Sequence, residues 1–111
     1  MMEKVTESLE RYMDLLSTRQ KLAATNIANA DTPGYKAQDI DFQFEFTTLT
    51  RGEQPQISPT QGLVTRSDGN NVDVDREARM LAENAMRFNV ASTLVQSQLK
   101  TILAAITGSA S

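Results

Sequence analysis

Asp68, Asn70, Asp73 and Asp75 set oxygen donors at roughly the intervals of a calcium-binding loop. The chemistry requires more than the spacing. Counted from Asp68, such a loop needs a glycine for its sharp turn at the sixth place and a two-oxygen glutamate at the twelfth. Asp73 and Arg79 stand there instead. A turn and a helix start account for the same residues: Ser67-Asp68-Gly69-Asn70 reads as a turn, and Asp73 or Asp75 can cap the helix that follows. Asp31 and Lys36 place one acid and one amine around Pro33-Gly34, without an activated nucleophile or a metal set. The chain has no Cys and no His, which removes disulfides, thiol nucleophiles, Cys/His zinc sites and imidazole acid–base catalysis together. The residues therefore point to no catalytic group, no cofactor and no metal.

The remaining classes narrow quickly. A chain of 111 residues is enough for one small domain. Its net charge of −3 and scattered basic residues argue against a nucleic-acid surface. No apolar run reaches membrane-spanning length. The amino end mixes Glu3, Lys4, Glu7, Glu10, Arg11 and Asp14 among its apolar residues, unlike a cleavable secretion signal, so passage out of the cytoplasm would need another export route.

With no chemistry to position, the elements themselves carry the information. In the C-terminal third, Val74, Ala78, Leu81, Ala85, Phe88, Ser92, Val95, Leu99, Ile102 and Ile106 alternate at four and three residues, one stripe of a long helix. A helix over 75–106 is about 48 Å long at 1.5 Å per residue, which favours a rod or a side-by-side assembly over a globule. From Phe88 to Ser111 the only charge is Lys100, and Val90, Ala91, Leu94, Leu103 and Ala105 form a second apolar row. That breadth reads as packing against more than one neighbour, with an ordinary bundle helix as the alternative. Leu81, Phe88, Val95, Leu99 and Ile102 are the expected packing residues here. Leu99, central on the stripe, is expected to be buried.

An N-terminal helix follows from Val5, Leu9, Tyr12, Leu16, Arg19, Ala23 and Asn26, with Leu9 and Leu16 as its packing residues. Arg19 and Asn26 either fix register or face water. Two stripes and a long connection predict antiparallel, coiled-coil-like helices, the partner coming from the same chain or from another copy. Between them, Pro33-Gly34 ends the first helix in a turn. Ile40, Phe42, Phe44 and Phe46 alternate with polar residues, predicting a short strand ending near Leu49 with the three Phe on one face as intersubunit candidates. Residues 51–61 read as a loop, and 63–66 as a possible second strand. The fold class is mainly α, with two long terminal helices joined by an extended or partly disordered segment holding one or two short strands. The expected units are 1–28, 29–74 and 75–111, and residues 38–72 are expected to be mobile until a neighbour orders them.

The run from Ala24 to Ala37, ATNIANADTPGYKA, closely resembles the N-terminal signature of the bacterial flagellar rod and hook family. Asp39-Ile40-Asp41-Phe42, and Asp68 to Glu77 leading directly into the last helix, narrow the likeness to its small proximal rod members. The resemblance spans nearly the whole chain. It implies a structural subunit that joins copies of itself and other rod proteins into a hollow rod crossing the periplasm, transmitting torque and passing exported subunits. It also implies the flagellar type III export apparatus and the basal-body base as partners, with export lacking a cleavable signal. Asn26, Asn29, Thr32, Pro33, Gly34 and Tyr35 would be the assembly signature. Another small rod member of the family is the runner-up, and a free-standing helical adaptor a more distant one.

Overall fold

The computed structural model describes residues 2–48 and 54–108. Five elements follow in order: α1 (Met2–Ala28), β1 (Gln38–Ile40), α2 (Phe42–Thr48), β2 (Ile57–Pro59) and α3 (Val74–Thr107). The molecule measures 65 × 25 × 17 Å, a rod set by the length of α3. The two long helices lie antiparallel. Asn26 meets Glu77 near one end, Gln20 donates to the Leu81 carbonyl, and the Thr6 hydroxyl donates to Gln98 Oε1 at 2.9 Å near the other end.

The start of α3 is settled by Asp73, whose side chain accepts from the Arg76 N–H at 3.1 Å. That bond satisfies one of the four donors a helix start leaves free. At the far end Gly108 takes φ 72°, the left-handed cap that closes many helices. The side of α3 turned to α1 carries buried Glu77, Asn84 and Ala91 at seven-residue intervals, with Gln98 next in the series. Leu81, Phe88, Val95 and Ile102 complete this four-three seam but keep partial exposure. The seam is thus rotated from the apolar stripe towards smaller and more polar residues. Leu99 falls outside it and is 54% exposed, against the expectation of burial. On α1 the buried residues are Leu15, Leu16, Ala23 and Asn26, while Leu9 is half-buried. Burying each of the two leucines contributes about 1.5–3 kcal/mol.

The middle segment differs from the expected strand. Only Gln38–Ile40 is extended, pairing antiparallel with β2 in the register Gln38↔Pro59, Asp39↔Ser58, Ile40↔Ile57. From Phe42 the chain is helical, because Asp41 caps it: its carboxylate accepts from the Phe44 N–H at 3.2 Å, and its carbonyl from the Glu45 N–H at 2.9 Å. Phe42 and Phe46 then share one face at i,i+4, and Phe44 turns away. The second strand lies at 57–59, inside the expected loop. Residues 63–66 form no ladder and instead lead into a turn in which Arg66 N–H donates to the Asn70 carbonyl at 2.8 Å. Leu49, residues 51–53 of the expected loop and residues 109–111 lie outside the described residues.

Candidate functional site

Two features distinguish the molecule: a polar joint where α1 turns back toward α3, and an apolar surface along α3. The joint is built around Asn26, which is fully buried. Its Nδ2 donates to the Gln38 carbonyl at 2.9 Å and to Glu77 Oε1 at 3.1 Å. Its Oδ1 accepts from the Tyr35 hydroxyl at 2.8 Å and from the Gln38 N–H at 3.1 Å. Both donors and both lone-pair positions of one amide are thereby used. This joins α1, the turn, β1 and α3 through a single side chain.

A second buried asparagine closes the other side. Asn70 donates to the carbonyls of Asn29 and Thr32, both at 2.9 Å, and accepts from the Val72 N–H at 2.8 Å. Asn71 accepts from the Ala37 N–H at 2.7 Å. The main chains meet directly as well, with Gly34 N–H donating to the Asp68 carbonyl at 2.9 Å. That approach explains the glycine at 69: φ is +86°, and a Cβ there would stand 3.2 Å from Gly34 Cα. Lys36 Nζ and an Arg66 guanidinium nitrogen donate to the carbonyls of Gly69 and Ala30. Asp68, Asn70 and Asp73, part of the apparent calcium spacing, are engaged in turn and cap bonds.

Charge is paired at the joint. Arg19 grips Asp39 with two nitrogens, Nε to Oδ1 at 3.1 Å and Nη2 to Oδ2 at 3.0 Å, the fork geometry guanidinium and carboxylate share. Arg76 lies 3.5 Å from the same Asp39 oxygen and 3.0 Å from Glu77 Oε1. Burial pushes the Glu77 carboxyl above its ordinary value; the bond from Asn26 and the charge of Arg76 pull it back, while Asp39 adds to the rise. The Tyr35 hydroxyl is likewise raised, chiefly by burial and then by Glu77.

Of the six signature residues, Asn26 is the hub and Tyr35 donates to it. Asn29 and Thr32 supply the carbonyls that hold Asn70, and the Thr32 hydroxyl donates to Asn29 Oδ1 at 3.1 Å. Gly34 lies against Asp68 and Gly69, and Pro33 is exposed in the turn. The sequence reading missed the residues that answer them, Asn70, Asn71 and Glu77, and the charges Asp39 and Arg76 that stand beside Glu77. The recurrence of Glu77, Asn84, Ala91 and Gln98 at sevens was the available signal for a polar seam.

The three Phe separate. Phe42 and Phe46 pack edge-on against Tyr12, at ring-centre distances of 5.4 and 5.7 Å, and the Arg19 guanidinium lies 6.0 Å from the Phe42 ring centre. They have a partner within the chain. Phe44 is 57% exposed. Along α3, Met86, Val90, Leu94, Leu99, Leu103 and Ile106 are all exposed, an unusual amount of apolar surface for one helix. Among the described residues, no helix is long and apolar enough to cross a membrane.

A rod of paired terminal helices with a polar joint and uncovered apolar residues on both flanks of α3 is the form of a subunit built for assembly. The sequence model of the flagella basal body rod protein family matches residues 13–36, the end of α1 and the turn. The chain is 36% identical to the flagellar basal body rod protein FlgB of Salmonella typhimurium, over 89% of this chain and 90% of that one. It is 32% identical to FlgB of Escherichia coli, over 90% and 93%, and 29% identical to FlgB of Borrelia hermsii, over 90% and 93%. The chain belongs to the FlgB family of flagellar basal body rod proteins, whose members are structural subunits of the rod.

Proposed function

We propose that this chain works as a subunit of the proximal rod of the bacterial flagellum and has no catalytic role. Copies join one another and other axial proteins into a hollow rod that crosses the periplasm, carries torque and lets exported subunits pass. The flagellar type III export apparatus delivers the chain, and the basal-body base receives it. The helices α1 and α3 are the two rod-core helices, and the segment between them the connecting unit. The signature residues Asn26, Asn29, Thr32, Pro33, Gly34 and Tyr35 set the angle at which the helices are presented. Leu9, Leu16, Leu81, Phe88, Val95 and Ile102 hold the pair together, while Phe44 and the exposed residues of α3 face neighbours.

One observation carries this reading beyond family membership: the apolar surface of α3, including Val90 at 62% and Ile106 at 74% exposed, is left uncovered within the protomer. A surface of that kind is costly in water and is covered in an assembly. The test is complementation in a bacterial strain whose own FlgB is deleted. Restored motility, with the chain retained in purified basal bodies, is the expected result; a chain that is made and folded but absent from basal bodies would overturn the proposal.

A further inference from the structure

We propose that Arg66 is a positioning residue for the assembly signature: its guanidinium caps α1 from outside the helix and ties the signature turn to the approach to α3. This rests on the rod reading and adds to it a residue that lies outside the signature. The last turn of α1 holds no basic residue, so the negative end of its dipole meets no cation from its own sequence. The helix tails off through residues 29–32, where the N–H groups of Asn29, Ala30 and Thr32 donate to the carbonyls of Thr25, Ile27 and Asn29. The Ala30 carbonyl belongs to this tail, and a terminal nitrogen of the Arg66 guanidinium donates to it from 36 positions away. The other terminal nitrogen donates at 3.2 Å to the carbonyl of Val72, two residues before α3. Nε lies 3.8 Å from Asp68 Oδ1. One planar group thus faces the tail of α1, the approach to α3 and the loop between them.

The side chain is aimed by its own main chain. The Arg66 N–H donates to the Asn70 carbonyl at 2.8 Å, and the Arg66 carbonyl accepts from the Gly69 N–H at 2.9 Å, which closes 66–70 into a tight loop. From that loop Asn70 reaches the carbonyls of Asn29 and Thr32, while Arg66 takes the carbonyl of Ala30 between them. The turn is therefore held from one place, and Thr32, Pro33 and Gly34 leave α1 in the direction that this loop fixes. The two holders differ in burial. Asn70 is fully buried, so losing it strands groups in the interior. The Arg66 side chain is 44% exposed, so water replaces its bonds at small cost in stability. Loss of Arg66 thus frees the turn without unfolding the helix pair. Positive charge alone is not enough, because a lysine ammonium is a point charge on a flexible stem, whereas the rigid guanidinium fork spans two carbonyls at once.

The test compares Arg66→Ala and Arg66→Lys with the unmodified chain, first by hydrogen exchange of main-chain amides in purified protein and then by the amount of chain retained in basal bodies. Arg66→Ala is expected to speed exchange at residues 29–35 by about fivefold or more, with 8–25 of α1 and 78–98 of α3 unchanged. Arg66→Lys is expected to exchange within about twofold of the Ala variant. Both variants are expected to be exported like the unmodified chain and retained in basal bodies at a fraction of its level. Exchange at 29–35 that Arg66→Ala leaves unchanged overturns the cap. Arg66→Lys matching the unmodified chain overturns the fork, and a rise spread evenly through both helices makes Arg66 a residue of the fold and not of positioning. Full retention despite a loosened turn overturns its part in assembly. In all four cases the unmodified chain still enters basal bodies and the rod reading stands; its absence from them overturns that reading, and the proposal with it, even when the exchange pattern is as expected.

Discussion

Replacing Asn26 by Ala tests whether one amide holds the joint. Four groups lose their partner: the Gln38 N–H and carbonyl, the Tyr35 hydroxyl and Glu77 Oε1. They do not suffer equally. Glu77 keeps Arg76, Tyr35 is half-buried and reaches water, and the two bonds to the Gln38 main chain are themselves only part-buried. At about 0.5–1.5 kcal/mol for each of the four bonds removed, with some relaxation, the variant loses about 2–4 kcal/mol. That is a large part of the roughly 5–15 kcal/mol that holds a domain together. The assay is urea unfolding followed by circular dichroism, with an unchanged slope showing that stability alone has moved. Asn29→Ala is the comparison, because its side-chain bonds lie on the exposed surface; it shifts stability by no more than about 0.5 kcal/mol. Asn26→Asp keeps both acceptor bonds but turns a carboxylate toward the Gln38 carbonyl and Glu77. It loses at least as much as the Ala variant at neutral pH and recovers part on acidification, when protonation of either carboxyl restores a donor. Asn26→Ala within about 0.5 kcal/mol of the unmodified chain, or Asn26→Asp matching it at neutral pH, would refute the hub.

Burial holds the Glu77 carboxyl above its ordinary value of 4.5, so between that value and the raised one the folded chain keeps a proton the unfolded chain releases. Its contribution to stability therefore falls as pH rises through that window, and urea midpoints should show Glu77→Gln gaining on the unmodified chain over the same range. Gly69→Ala forces a side chain into the left-handed region against Gly34 and costs about 1–2 kcal/mol, measured the same way. Leu15→Ala, at a fully buried position, costs about 2–5 kcal/mol. Leu99→Ala, at a half-exposed one, costs about 1 kcal/mol or less. Leu99→Ala should nevertheless lower the amount of chain retained in basal bodies, while the amount exported stays the same.

The long helices were legible because their signals are long: sustained four-three spacing, a Pro-Gly stop after α1 and acidic residues before α3. Which side of α3 meets α1 was not, since apolar spacing marks every dry surface alike, and the driest side here lies outside the protomer's seam. The Phe alternation misled for a related reason. Phe42, Phe44 and Phe46 fit a strand at period two, yet Phe42 and Phe46 also fit a helix at i,i+4, and the Asp41 cap decides between them. The signature residues stood out by resemblance alone. Their answering partners, Asn70, Asn71 and Glu77, lie more than 35 residues away, and nothing local announces a hydrogen bond between such distant positions.

The joint closes between residues 26–40 on one side and 66–77 on the other, so everything from Asp41 to Thr65 departs from one place and returns to it. Its length is therefore uncoupled from the register of the helices. Lengthening such an excursion raises the cost of closing it only logarithmically, about 0.6 kcal/mol for each doubling. A single residue inserted into α1 or α3 would instead swing every later side chain through about 100° and dismantle the seam. Variation is cheap at one address and ruinous everywhere else, so the helix pair serves as a chassis on which outer segments of very different size could be mounted without redesigning what lies beneath.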